Sequence, residues 1–393
     1  MQSCLILNNI GFTIQNGYFC MVKTDEMELE IKIRALPPVW FIRLINNFRY
    51  SLMQLSKRLF PANVVLYEHF QFFWLLPCMK VAAELNIANL IKTEPKTVEQ
   101  LAIETDTNRE SLFRLIRALA SRNIFKLKKD GLVYNTPMSK ALTDDHGSLR
   151  FMIMQHLGTL NWTVFSQLSH SIKTGEDAFS KVYGKKIYDY LAEKPKEADL
   201  FDRSMTNLSE ISIEPILSAY NFSKFNTLAD IGGGAGLLLS SILFKHKKLK
   251  GILFDLPSVV LQAKSIILKY GVVDRIAIKT GTFFDPLPAA ADGYLLKNVI
   301  HNWSDEECIR ILSNISAVLP DHGKILILEM IVQEDNKPSF AKLIDIQMMV
   351  FMHSGKERTK KEFQQLLSRS GLRINRIVPT ISPLSIIEAV KGG

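Results

Sequence analysis

A chain of 393 residues is long enough for two domains with proper cores, and its composition, 47% hydrophobic and 22% charged, is that of a globular rather than a disordered protein. The formal charge of +9 admits an anionic partner but is met equally by a surplus spread over the surface. Cys4, Cys20, Cys78 and Cys308 form no C-x-x-C, which argues against a zinc knuckle or a disulfide framework, and with no signal-peptide pattern and no uncharged apolar run of spanning length a cytoplasmic protein is expected.

Residues 1–36 show no clear period and read as an N-terminal extension with no assigned function. After Pro37 and Pro38, the stretch from Trp40 to Phe60 predicts an amphipathic helix with Arg43, Arg49, Lys57 and Arg58 among aromatics and leucines. Such a helix suits an anionic membrane surface or, in the preferred reading, a partner subunit, because more apolar helix follows directly from Tyr67 to Asn86. Thr97 then caps one short helix and Asn108 a second, and Phe125–Leu127 turns at Asp130-Gly131 into Leu132–Tyr134. Helix, helix, β-ribbon is a winged-helix pattern. Arg109, Arg114, Arg117 and Arg122 make DNA reading a competitor, although no basic cluster extends beyond the second helix. From Gly147 to Tyr220 the chain reads as helical, with breaks at Gly158, Gly175 and Gly184; Trp162, Phe179, Phe201 and Met205 here are core residues by default, with some of them walls of a ligand pocket otherwise.

From Thr227 onward, strands and helices alternate as in an open α/β sheet. Its first strand runs into Asp230 and a glycine-rich turn, LADIGGGAG, followed by an apolar helix. Glycines at such a turn let the backbone take positive φ or let a ligand approach where a Cβ would collide. Leu237 stands where a dinucleotide fingerprint needs its third glycine, and no Gly-Lys-Ser/Thr closes a P-loop, so a pyrophosphate is disfavoured. What remains is G-x-G-x-G, on Gly232 and Gly234, with Asp230 before it and Asp255 at the end of the next strand. A carboxylate there suits a ribose diol, and the first acid suits a cation better than a phosphate. Ribose, ammonium and no phosphate together describe S-adenosylmethionine; the alternative is a purely structural turn.

Further strands are predicted at Ile276–Lys279, Gly293–Ile300 and Lys324–Met330, with capping boxes Ser304/Glu307 and Thr359/Glu362 opening two later helices and an antiparallel hairpin, Arg373–Val378 with Ser385–Val390, closing the sheet. Asp230, Asp255, His301 and Glu329 all fall at carboxyl ends of strands, where the crevice of such a sheet lies. A lone histidine is usually structural; at this place an imidazole is the natural base near neutrality. Glu329 and Glu357 could fix its tautomer, the alternative for Glu357 being a surface position in the polar run GKERTKK.

The ordered motifs LADIGGGAG, FDLP, GTFFDPLP, YLLKNVIHNWSDEE, ILEMIV and SGKERTKKEF closely resemble the small-molecule O-methyltransferases typified by plant caffeic acid and isoflavone enzymes, acetylserotonin methyltransferase and bacterial hydroxyneurosporene methyltransferases. The resemblance runs from about Pro37 to Val390. It implies a Rossmann-like methyltransferase sheet over residues 166–393 and a helical, winged-helix dimerisation domain over 37–165, hence a homodimer that binds no nucleic acid. By the same resemblance Gly232, Gly234 and Asp255 hold the cofactor, with Phe283, Lys297 and Trp303 lining the adenosyl site, and His301 is the base flanked by Glu329 and Glu357. Met348 presses on the acceptor ring, with Phe201, Met205 and Trp162 at pocket positions. Thr282 departs from the family's aspartate at the adenine contact, a weaker acceptor that Asp285 could supplement; Asn302 is a milder variation. The expected activity is transfer of a methyl group from S-adenosylmethionine to a hydroxyl of a small, aromatic acceptor, without metal. The rivals are a winged-helix regulator with the cofactor as effector and a family relative performing hydroxylation or decarboxylation, against which His301 speaks.

Overall fold

The computed structural model describes residues 12–15, 18–21, 37–261, 263–287 and 291–392. Two compact units divide the chain after Leu36. In the first, β1 (Phe12–Gln15) and β2 (Tyr18–Met21) pair antiparallel, a hairpin in a segment whose sequence shows no period.

The second unit opens with helices Val39–Arg58, Ala62–Phe70 and Phe72–Glu84. Pro38 and Pro61 stand just before the first two, where a missing N–H costs nothing. The single helix expected from Tyr67 to Asn86 is interrupted at Gln71 and ends at Glu84. Next come β3 (Lys96–Thr97), helix Val98–Glu104 with a Thr97/Gln100 capping box, helix Arg109–Ala120 capped by Asn108, β4 (Phe125–Leu127) and β5 (Leu132–Asn135). The ribbon has the order β3-β5-β4, and Leu101, Leu112, Ile116, Leu119, Phe125 and Val133 bury the two helices against it. Short helices follow to the long helix Pro195–Ala219; Gly158 begins one of them, and Gly175 and Gly184 end two others in the left-handed conformation that spares a Cβ clash.

The larger sheet is built from β6 (Thr227–Ile231), β7 (Lys250–Asp255), β8 (Ile276–Thr280), β9 (Gly293–Lys297) and β10 (Lys324–Glu329), all parallel, with a small parallel pair, β11 (Ile331–Val332) and β12 (Arg358–Thr359), beside it. The expected hairpin, β13 (Leu372–Pro379) and β14 (Ser385–Lys391), completes it by inserting β14 antiparallel to β10, in the order β13-β14-β10-β9-β6-β7-β8. Leu228, Ala229, Ile231, Tyr294, Leu295, Leu296 and Ile325 to Leu328 are fully buried, the continuous apolar runs of strands covered on both faces. The strand order reverses between β6 and β9, the switch point at which such sheets open a crevice.

Two expectations need correction here. The strand predicted to reach Ile300 stops at Lys297; Asn298 takes a left-handed φ of 53° and a 3-10 turn, Ile300–Asn302, carries His301. The helix expected from Ser258 to Tyr270 is two pieces, Pro257–Val260 and Ala263–Lys269. No described helix is long and apolar enough to cross a membrane.

Candidate active site

The glycine turn leaves β6 with Gly232, Gly234 and Gly236 all at positive φ, between 61° and 75°. A Cβ on Gly233 would collide with Leu253 and Asp230, whereas one on Gly234 would meet nothing within 4 Å, so the bare backbone of Gly234 faces open space. Asp255, at the end of β7, braces this turn: Gly234 N–H donates to its Oδ2 at 2.8 Å and Leu256 N–H to its Oδ1 at 2.7 Å. Each oxygen retains a further lone pair, so a diol can still be held. Burial raises the Asp255 pKa despite those two bonds.

Asp230 is buried behind the turn, and burial pushes its carboxyl up to about 7, with the Asp255 charge adding to the rise and Lys297 opposing it. Lys297, at the end of β9, donates from Nζ to Ser209 Oγ at 3.0 Å; burial lowers its pKa, while Asp230 and Glu329 favour its charged form. Ser209 lies on helix Pro195–Ala219 at i+4 and i+8 from Met205 and Phe201, so the three share one stripe and Lys297 ties that stripe to the crevice. Phe283 lies within 4 Å of the Cβ direction of Gly232 and packs edge-on against Trp303 with centroids 5.6 Å apart, giving the crevice an aromatic wall. Thr282 Oγ1 accepts from Phe284 N–H at 3.3 Å, while Asp285 is exposed.

His301 is held on every side. Glu329 Oε1 accepts from the N–H of Ile300 at 2.9 Å and of His301 at 3.4 Å, replacing the ladder bonds that the strand loses. The ring Nδ1 stands 2.8 Å from Glu357 Oε1 and 3.6 Å from Glu329 Oε2. With acceptors on that side, Nδ1 carries the proton and Nε2 of the neutral ring is free to take one. Burial lowers the imidazole pKa, but the Glu329 charge and the Glu357 hydrogen bond and charge together raise it above its ordinary value. Burial also raises the Glu329 pKa, against the pull of His301. Glu357 is 4% exposed, so the surface reading of the GKERTKK run does not hold for it.

Met348 is buried on helix Phe340–Phe351, three residues beyond Asp345, whose Oδ1 accepts from Glu357 N–H at 2.9 Å. Phe201 packs against the buried cluster that contains Phe179, Val350 and Phe351. Trp162 is 40% exposed and its ring contact is with Phe73, which joins it to the N-terminal aromatic helices rather than to the triad. Sequence reasoning missed Tyr188, an exposed tyrosine near the Asp255 carboxylate. It missed Asp345 and Arg358 as well; none of the three carries a local signal.

A mostly parallel sheet with a glycine turn at its switch point, a carboxylate at the neighbouring strand end and an open backbone position between them form a crevice suited to a nucleoside. The open space at Gly234 and the spare lone pairs of Asp255 fit S-adenosylmethionine. A family model described as an O-methyltransferase domain matches residues 165–373, and one described as an O-methyltransferase dimerisation domain matches residues 67–145. The chain belongs to this family of small-molecule O-methyltransferases. It is 36% identical over 330 residues to phenazine O-methyltransferase PhzM of Lysobacter antibioticus, covering 84% of this chain and 96% of that one. It is 33% identical to the mitomycin biosynthesis 6-O-methyltransferase of Streptomyces lavendulae, covering 80% and 90% respectively. Human N-acetylserotonin methyltransferase, solved with S-adenosylmethionine, superposes with a TM-score of 0.78 at 26% identity, covering 85% of this chain and 99% of that one.

Proposed function

We propose that this enzyme methylates a phenolic hydroxyl on a small aromatic acceptor with His301 as general base. The observation that carries this is the 2.8 Å contact of His301 Nδ1 with Glu357, which leaves Nε2 as the proton acceptor. S-adenosylmethionine, when bound, supplies an electrophilic methyl group on sulfur. Gly234 and Asp255 hold its nucleoside, and Phe283 and Trp303 wall the base side. A phenol of pKa about 10 is barely ionised at neutral pH, so His301 removes the proton as the oxygen attacks, and Glu357 and Glu329 stabilise the resulting imidazolium. Met348, Phe201, Met205 and Trp162 are proposed to shape the acceptor side, with residues 37–165 serving dimerisation and 166–393 catalysis. The relatives named above act, by their names, on a phenazine, in mitomycin biosynthesis and on N-acetylserotonin, which favours a ring-bearing acceptor.

Calorimetry tests the cofactor half of this reading. Asp255→Ala should weaken S-adenosylhomocysteine binding at least tenfold, about 1.4 kcal/mol, and equal binding by both proteins would remove Asp255 from the site. A screen of phenols with methyl-labelled cofactor tests the other half, label in the acceptor's methoxy group being the expected result.

A further inference from the structure

We infer that Arg358 is a positioning residue for the proposed base, setting the distance between His301 and Glu357 from beneath. The inference rests on the reading of His301 as base. Arg358 is fully buried in an otherwise exposed-looking basic run. Its Nη1 donates to Ile300 O at 2.9 Å and its Nη2 to Trp303 O at 2.8 Å, so one guanidinium grips the turn on both sides of His301. Nε and Nη2 also donate to Asp305 Oδ1 at 3.0 and 2.8 Å, which neutralises the buried charge and fixes the plane of the fork. Immediately upstream, Lys356 N–H donates to His301 O at 2.9 Å and Glu357 N–H donates to Asp345 Oδ1 at 2.9 Å. Lys356 and Arg358 thus strap the turn that carries His301 to the segment that carries Glu357, while Asp345 holds the Glu357 backbone from helix Phe340–Phe351.

The geometry needs an arginine rather than any cation. A lysine is a point charge on a flexible stem and lacks the planar fork that reaches two carbonyls and a carboxylate at once. Nothing in the fork touches the imidazole ring, so its effect on the reaction passes through the Nδ1 to Glu357 contact. Burying Arg358 without Asp305 would be costly, since a buried charge that loses its partner destabilises strongly; the pair is built for rigidity.

The test is a cycle between Arg358→Lys and Glu357→Gln, read by kcat, KM for the cofactor and the pH dependence of kcat/KM. Arg358→Lys should lower kcat at least tenfold with little change in cofactor KM, and should move the acid limb of the profile down toward the ordinary histidine value. In the Glu357→Gln background the same change should add less than a threefold loss, because the charge-assisted contact it positions is already gone. Independent, multiplying losses with an unmoved acid limb would overturn the inference. Should Arg358→Lys fail to fold, Asp305→Asn, which weakens the carboxylate contact that fixes the plane of the Arg358 fork, must show the same non-additivity with Glu357→Gln. Retained turnover in His301→Ala would instead overturn the base assignment itself, whatever Arg358 does.

Discussion

At the scale of single residues, the proposed reaction depends on one imidazole, whose Nδ1 faces Glu357 and Glu329. Only the deprotonated ring can accept the acceptor's proton, and the carboxylates of Glu329 and Glu357 raise its pKa above 6.5 despite burial. Activity should therefore rise with pH through a limb above 6.5, the imidazolium below it being inactive. Glu329→Gln removes one stabilising charge and should shift that limb to lower pH, measured as kcat/KM against pH; a limb that stays put would assign the titration to another group. Asp255, the glycines and Glu329 were legible in the sequence because the crevice of such a sheet opens at strand ends, and His301 because it lies on the turn just past one. Arg358 was not, since a basic residue within GKERTKK has the composition of a solvated loop and is buried only because the turn at Ile300–Asn302 folds over it. Tyr188 and Asp345 were hidden for a different reason, each lying on a helix far in sequence from the strand ends.

At the scale of elements, the C-terminal hairpin is fastened by one buried carboxylate. Glu388 of β14 accepts from Tyr220 Oη at 2.5 Å, Lys324 Nζ at 2.9 Å, Asn375 Nδ2 at 2.5 Å and Arg376 Nη2 at 3.0 Å, which joins the end of helix Pro195–Ala219 to β10, β13 and β14. Burial alone would raise its pKa, but those hydrogen bonds hold it well below the ordinary carboxylate range. Its stabilisation is therefore complete above the unfolded value of 4.5 and is lost as pH falls through the lower folded value. Tyr220→Phe removes one hydrogen bond to a charged group and should cost about 1.5–3 kcal/mol at neutral pH by urea unfolding, and less in strong acid; an unchanged midpoint would contradict the role given to Glu388. The strands and capping boxes of this half were readable from apolar runs and S-x-x-E or T-x-x-E spacing. Helix Phe340–Phe351 was not, because it opens without such a cap, Ser339 making no side-chain capping bond.

At the scale of the molecule, the N-terminal helices are unfinished as a monomer surface. Phe41, Leu44, Ile45, Phe48, Leu52 and Leu55 recur on one face of Val39–Arg58 and all are exposed, as are Phe70, Phe73 and Trp74 on the next two helices. Apolar patches of this extent mark protein interfaces, and the dimerisation-domain match at residues 67–145 points to a second copy as the cover. Sedimentation at micromolar concentration should give a dimer, and Phe48→Asp with Phe73→Asp should give a monomer. A native monomer would leave those faces for another partner.

The central claim is tested most directly by single-turnover methyl transfer in His301→Ala, alongside its affinity for S-adenosylhomocysteine, across phenols of graded acidity. General-base catalysis is typically worth about 10² to 10⁴ in rate. A loss of that size is expected for un-ionised phenols, a smaller loss for phenols already ionised at the assay pH, and native cofactor affinity throughout. Near-native transfer to an un-ionised phenol would contradict the claim.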